Sequence, residues 1–170
     1  MDRPHVVGTT RTQPEIPAMR TKHVALHVPD LQRAEAFYRQ VFGLDVVTRE
    51  ALTRASPTHD APWAQLPHTA TWEDAQRAGI EVQMVGLRRG DLLLALFPGD
   101  PRPGTVFLIA IVASVEEIAT VRGRLPDDTA VEADQDDALT FLDPFGFRWQ
   151  LCGPAFTGPG DARGRWLEIP

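Results

Sequence analysis

The stretch HVALHVPDLQRAEAFYRQVFGLDVV, residues 23–47, decides the fold. Its first residues, with Thr21 and Lys22, alternate: His23, Ala25 and His27 fall on one face, Val24, Leu26 and Val28 on the other, which is strand periodicity. Asp30 then offers a side-chain oxygen to the first turn of a helix. Within that helix Leu31, Ala34, Phe37, Tyr38, Val41 and Phe42 recur at three- and four-residue spacing, so one stripe is apolar. Gly43 ends it, and Leu44 to Arg49 resumes as a strand.

Downstream, residues 51–79 interrupt the pattern. Pro57, Pro62 and Pro67 punctuate a polar stretch holding His59, Trp63 and His68, and a short helix signal runs from Thr71 to Gly79. A connection of this length reads as a lid or binding loop. Ile80 to Leu87 and Asp91 to Phe97 read as two strands around a turn at Arg88, Arg89 and Gly90. The order is thus strand, helix, strand, strand, strand.

That order recurs. Thr105 to Ala113 reads as a strand, and Ser114-Val115-Glu116-Glu117 is a capping box opening a helix with Val115, Ile118, Val121 and Leu125 on one side. Residues 129–134, 138–142 and 147–152 supply three more strands, the last two joined by the turn Asp143-Pro144-Phe145-Gly146. Two copies of one unit about 80 residues apart are an internal repeat with little sequence identity between halves. The expected organisation is a flexible arm at 1–20, a first βαβββ module at 21–99 with its insertion at 51–79, a second at 104–153, and a tail at 154–170. The fold class is α+β, with the two modules forming a cupped mixed β-sheet and helices on its outer face.

Bulk properties narrow the function classes. The chain has 170 residues, is 43% hydrophobic and carries 17 basic against 23 acidic residues, for a net charge of −6. The basic residues are scattered rather than striped, which argues against nucleic acid as a partner. The longest apolar runs, Leu92 to Phe97 and Val106 to Ala113, are far too short to span a bilayer, so no membrane is expected. Cys152 is the sole cysteine, which excludes an intramolecular disulfide and fits the cytoplasm.

Residues 23–47 resemble the opening of a vicinal oxygen chelate module, the superfamily of glyoxalase I, extradiol dioxygenases, fosfomycin-resistance enzymes and bleomycin-resistance proteins. FLDPFGFRWQL, residues 141–151, resembles the hairpin that closes the second module. The resemblance covers residues 21–153, apart from the insertion. It implies four ligand positions converging in the cup, one on the first and one on the last strand of each module. Here His23 falls on the first and Gln150 on the last, where Glu is usual and Gln is a weaker neutral donor. Matching by motif puts Phe107 and Ala95 at the other two, and neither binds a metal. The metal site is therefore expected to be largely dismantled, with His23 and Gln150 as its remnants. No cofactor is expected, a divalent metal being the alternative.

The same matching lines the cup with His23, His27, Leu93, Ala95, Phe97, Phe107, Ile109, Ile111, Arg148, Gln150 and Cys152. Such a pocket suits a small hydrophobic or aromatic molecule whose anionic or carbonyl oxygen Arg148 holds. His23 is the candidate catalytic residue, against the plainer reading of a residual core histidine. Cys152 reads as a small hydrophobe, Trp63 and Trp72 as anchors of the insertion, and the Asp127-Asp128 and Asp134 to Asp137 clusters as solvated turns. Three functions stay open: a metal-independent, lyase-like enzyme, a protein that sequesters a drug or metabolite, and a metal-dependent lyase or dioxygenase with a rebuilt site. A homodimer is implied by the resemblance.

Overall fold

The structure, a computed structural model, describes residues 22–52, 63–102 and 106–153. The sequence-predicted arm at 1–20, the tail at 154–170 and His59 lie outside the described residues. The elements, in order, are β1 (Val24–Val28), α1 (Leu31–Phe42), β2 (Asp45–Leu52), β3 (Trp63–Gln65), α2 (Trp72–Arg77), β4 (Met84–Arg89), β5 (Leu92–Pro98), β6 (Ile109–Val112), α3 (Val115–Arg122), β7 (Ala130–Gln135), β8 (Ala138–Leu142) and β9 (Arg148–Cys152).

They form two mixed sheets, ordered β1-β5-β4-β2-β3 and β6-β9-β8-β7. In both, the first strand of the unit runs parallel to the fourth, followed by the third and the second. The repeat read from the sequence is thus a repeat of topology, and the insertion adds β3 to the first copy as an extra antiparallel strand beside β2. The architecture is α+β with mixed β-sheet, as expected, and each module contributes one sheet, β1 and β6 pairing on one side only among the described residues.

Helix α1 unites them. Asp30 caps it by accepting from Arg33 N at 2.9 Å, and Gly43 closes it in the left-handed region at φ 65°. Its apolar stripe is buried as predicted. Phe42 and Tyr38 lie with ring centroids 4.8 and 5.7 Å from Trp149 on β9, so α1 packs against both sheets and one core serves the chain. The insertion is tied to the same helix. Buried Glu35 accepts from Arg49 Nε at 2.7 Å and from Trp72 Nε1 at 3.0 Å, which satisfies a carboxylate that would otherwise be costly to bury. α2 and α3 both open on complete capping boxes, Thr71 with Asp74 and Ser114 with Glu117.

Several strand limits differ from the sequence reading. Residues 80–83 are not strand, and Arg88 and Arg89 finish β4, leaving Gly90 (φ 56°) and Asp91 as the turn. No helix among the described residues is long and apolar enough to cross a membrane.

Candidate functional site

Strand register builds a cleft on the face of the first sheet away from α1. Val85, Leu87, Leu94 and Leu96 point into the core, so Met84, Gly86, Arg88, Leu93, Ala95 and Phe97 point the other way. Partners in register stand side by side, which sorts the open face into three transverse rows. With the pairing continued one residue at His23 and Met84, these are His23-Leu93-Arg88-Asp45, Ala25-Ala95-Gly86-Thr48 and His27-Phe97-Met84-Glu50. The middle row is small throughout, and large side chains flank it, so the sheet carries a trough.

That trough belongs to a cleft of about 480 Å³ lined by Lys22, His23, Thr48, Trp63, Arg88 and Phe97 among others. Gly86 sets its depth, since a Cβ there would stand 2.9 Å from Thr48 Cγ2. The register shift between Val46 and Thr48 is a bulge opposite it, and it turns both Val47 and Thr48 toward the cleft. Lys22, His23 and Arg88 supply basic groups; Glu50 also lines the cleft, where its Oε1 accepts from Thr48 Oγ1 at 3.2 Å and Gln65 Nε2 at 3.4 Å.

Of the predicted site residues, His23, Leu93, Ala95 and Phe97 share this cleft. His27 lies beside it, exposed, with its ring 6.2 Å from that of Phe97. The second-module residues do not join them. Arg148 and Gln150 sit on the other sheet, facing away from Trp149 and Leu151 as predicted. The Arg148 guanidinium is engaged there: Nη2 donates to Glu132 Oε1 at 2.8 Å, Nε stands 2.7 Å from Oε2, and the group lies 5.3 Å from the Phe107 ring centroid. Cys152 is half-buried on the Gln150 face.

Ile109 and Ile111 are corrected. Ile109 pairs with Trp149 and Ile111 with Leu151, so both take the core face, and Ile109 is only 8% exposed. Ala110 and Val112 stand beside Gln150 and Cys152 instead. The predicted strand face was off by one residue, because a one-residue slip exchanges the faces of a strand. The slip moves a ligand position too. His23 precedes Ala25, the partner of Ala95, by two residues; Ala110 is the partner of Gln150, so the counterpart of His23 is Leu108 rather than Phe107. Phe107 precedes β6 and is 77% exposed.

The four positions implied for a metal are therefore His23, Ala95, Leu108 and Gln150. An imidazole and an amide, carried on different sheets, fall short of the three protein ligands a catalytic divalent ion ordinarily takes. Among the described residues no group of three or more His, Cys, Asp or Glu side chains could hold one. The described residues do not fit the metal.

Sequence reasoning missed Trp63, Arg88 and Gly86 as cleft residues. It also read both insertion tryptophans as anchors, whereas they divide: Trp72 is held by Glu35 and by Arg49, 5.5 Å over its ring, while Trp63 is 45% exposed at the cleft.

Comparisons with known proteins agree with this architecture. The family model described as Glyoxalase/Bleomycin resistance protein/Dioxygenase superfamily matches residues 20–151. No curated protein matches the chain in sequence. Among solved structures, the fosfomycin resistance protein FosX from Listeria monocytogenes is similar at 14% identity and TM-score 0.56, over 82% of this chain and 93% of that one. FosX from Mesorhizobium loti is similar at 15% identity and TM-score 0.54, over 84% and 95%. A glutamate-to-glutamine mutant of the Listeria protein, complexed with Mn(II) and 1S,2S-dihydroxypropylphosphonic acid, is similar at 14% identity and TM-score 0.54, over 80% and 93%. Likeness at this identity shows the fold alone.

Proposed function

Because the chain belongs to the glyoxalase/bleomycin resistance protein/dioxygenase superfamily, we propose that it binds a small hydrophobic or aromatic organic anion in the cleft of its first sheet, without the metal site of metal-using relatives. The observation that carries this reading is the trough itself: a row of small residues with Leu93 on one side and Met84 and Phe97 on the other, and with Lys22, His23 and Arg88 at hand for an anion. Apolar side chains with a few convergent polar groups are the usual make-up of a small-molecule site. The anion-holding role assigned to Arg148 from the sequence passes to Lys22 and Arg88, since Glu132 already engages Arg148. If the bound molecule is also converted, His23 is the cleft residue suited to serve as its general acid or base.

A homodimer is part of the proposal. β1 and β6 each leave a row of backbone donors and acceptors unpaired among the described residues, and Val112 on β6 is 67% exposed. A second copy covering these edges would bury both, and a cytoplasmic location fits the sole cysteine. Light scattering should give twice the chain mass, and Val112→Lys should shift it toward the monomer.

Titration calorimetry with 2-naphthoate and decanoate, on protein purified without chelator and assayed for metal, tests the central claim. Binding that is unchanged by EDTA, on protein holding far less than about one equivalent of metal, is the expected result. About one equivalent of divalent metal that disappears in His23→Ala would overturn the metal-free reading.

A further inference from the structure

The insertion strand carries an aromatic group back over the cleft, and we infer that Trp63 and Phe97 form a clamp that selects ligands with a flat aromatic ring. The inference rests on the binding site proposed above and names the kind of molecule it prefers.

Register puts Trp63 on the cleft face. Gln65 stands opposite Glu50, which lines the cleft, and Trp63 is two residues from Gln65 along β3. Phe97 lies on the same face of β5, with β2 and β4 between the two strands. On a flat sheet, three strand spacings would hold them about 14 Å apart. The ring centroids are 6.2 Å apart with planes at 73°. The two side chains therefore reach toward each other across β2 and β4, and the insertion brings Trp63 against Phe97 above the Met84 end of the trough.

Hydrogen bonds fasten the insertion on its far side. Leu66 N donates to Arg49 O at 2.8 Å, Arg49 Nη1 to Ala70 O at 3.0 Å, and Trp72 Nε1 to Glu35. Trp63 itself remains 45% exposed, so part of its surface is left for a partner. An aromatic ligand ring would gain stacking on indole and edge contact with Phe97, which a saturated ring of the same size cannot match. The basic groups lie on the opposite row, Arg88 and His23 with Lys22 next to it. Rows on one face are two residues apart, so about 13 Å separates the aromatic row from the basic one. The class that fits is an aryl or arylalkyl acid, ring under Trp63 and anion toward Arg88.

The test compares 2-naphthoate with its saturated counterpart, decahydro-2-naphthoate, by calorimetry on wild type, Trp63→Phe and Trp63→Leu. Melting curves check that the exposed substitution leaves the fold intact. Expected are roughly tenfold tighter binding of the aromatic acid by wild type, loss of that preference in Trp63→Leu, and its retention in Trp63→Phe. Equal binding of both acids, unaltered in Trp63→Leu, would overturn the clamp and leave the binding site standing. If neither acid binds, both the clamp and the binding site are overturned.

Discussion

Tyr38 on α1 donates a 2.7 Å hydrogen bond to Asp143 Oδ2 in the turn before β9, 105 residues away. Trp149 Nε1 donates to the same oxygen at 2.8 Å, and the backbone N–H groups of Phe145 and Phe147 donate to Oδ1 at 2.9 and 3.0 Å. One buried carboxyl thus shapes the turn, holds the central tryptophan of the second sheet and clasps the helix of the first module. Burial pushes this carboxyl above the ordinary carboxylate value, while the four donors pull it back. Tyr38→Phe removes one donor without opening a cavity and should cost about 1–3 kcal/mol. Asp143→Ala strands four donors at once and should cost more, about 3–5 kcal/mol. Urea denaturation followed by tryptophan fluorescence measures both, and equal losses would mean that the turn contacts contribute little.

Alkaline titration isolates the same contact, because Tyr38 is the only tyrosine in the chain. Burial first, then the charge of Asp143, raises its phenol far above the ordinary value of 10.0. A folded value above the unfolded one means that the stabilisation is complete below about pH 10 and is lost as pH rises beyond it. Absorbance at 295 nm should therefore show no tyrosinate in the folded protein, and should rise only together with the circular dichroism signal of unfolding. A free titration near pH 10 with the fold intact would mean that the phenol is open to solvent.

The attachment of the insertion depends on Glu35. Removing this buried acid leaves Arg49 unpaired, with its side chain only 12% exposed. Glu35→Ala should destabilise the chain by about 2–4 kcal/mol. The effect should also be local. Hydrogen exchange should quicken across residues 63–79 before it does in α1, whose apolar contacts remain. Uniform acceleration would show that Glu35 supports the whole core rather than the insertion.

These contacts show what the sequence could and could not reveal. Asp30, Gly43 and the Ser114-Glu117 box marked helix ends because capping is local chemistry, and alternation along Arg148 to Cys152 gave the correct faces because polar and apolar residues take turns there. Leu108-Ile109-Ala110-Ile111 is apolar throughout, so nothing in it distinguishes core from cleft, and pairing with Trp149 and Leu151 decides. β3 is three residues long, too short to show a period. Ala25, Ala95 and Gly86 are inconspicuous until register sets them in one row. The partnership of Arg148 with Glu132 reaches across β8, which no local pattern encodes.

Gly86 offers the sharpest test of the trough. Its added Cβ would meet Thr48 Cγ2 at 2.9 Å, with the next contacts no closer than 3.9 Å, so the obstruction is one methyl group. Gly86→Ala should therefore cost about 1–3 kcal/mol of stability through overpacking. Thr48→Ser deletes that methyl while keeping the hydroxyl that donates to Glu50 at 3.2 Å. The double variant should recover most of the lost stability, and such non-additivity marks residues in direct contact. Ligand affinity should behave differently. The new Cβ still occupies the trough floor after Thr48 has yielded, so the double variant should regain its melting temperature and remain weak for 2-naphthoate. Recovery of both would place the ligand elsewhere; recovery of stability alone would put it on the row that Gly86 keeps low.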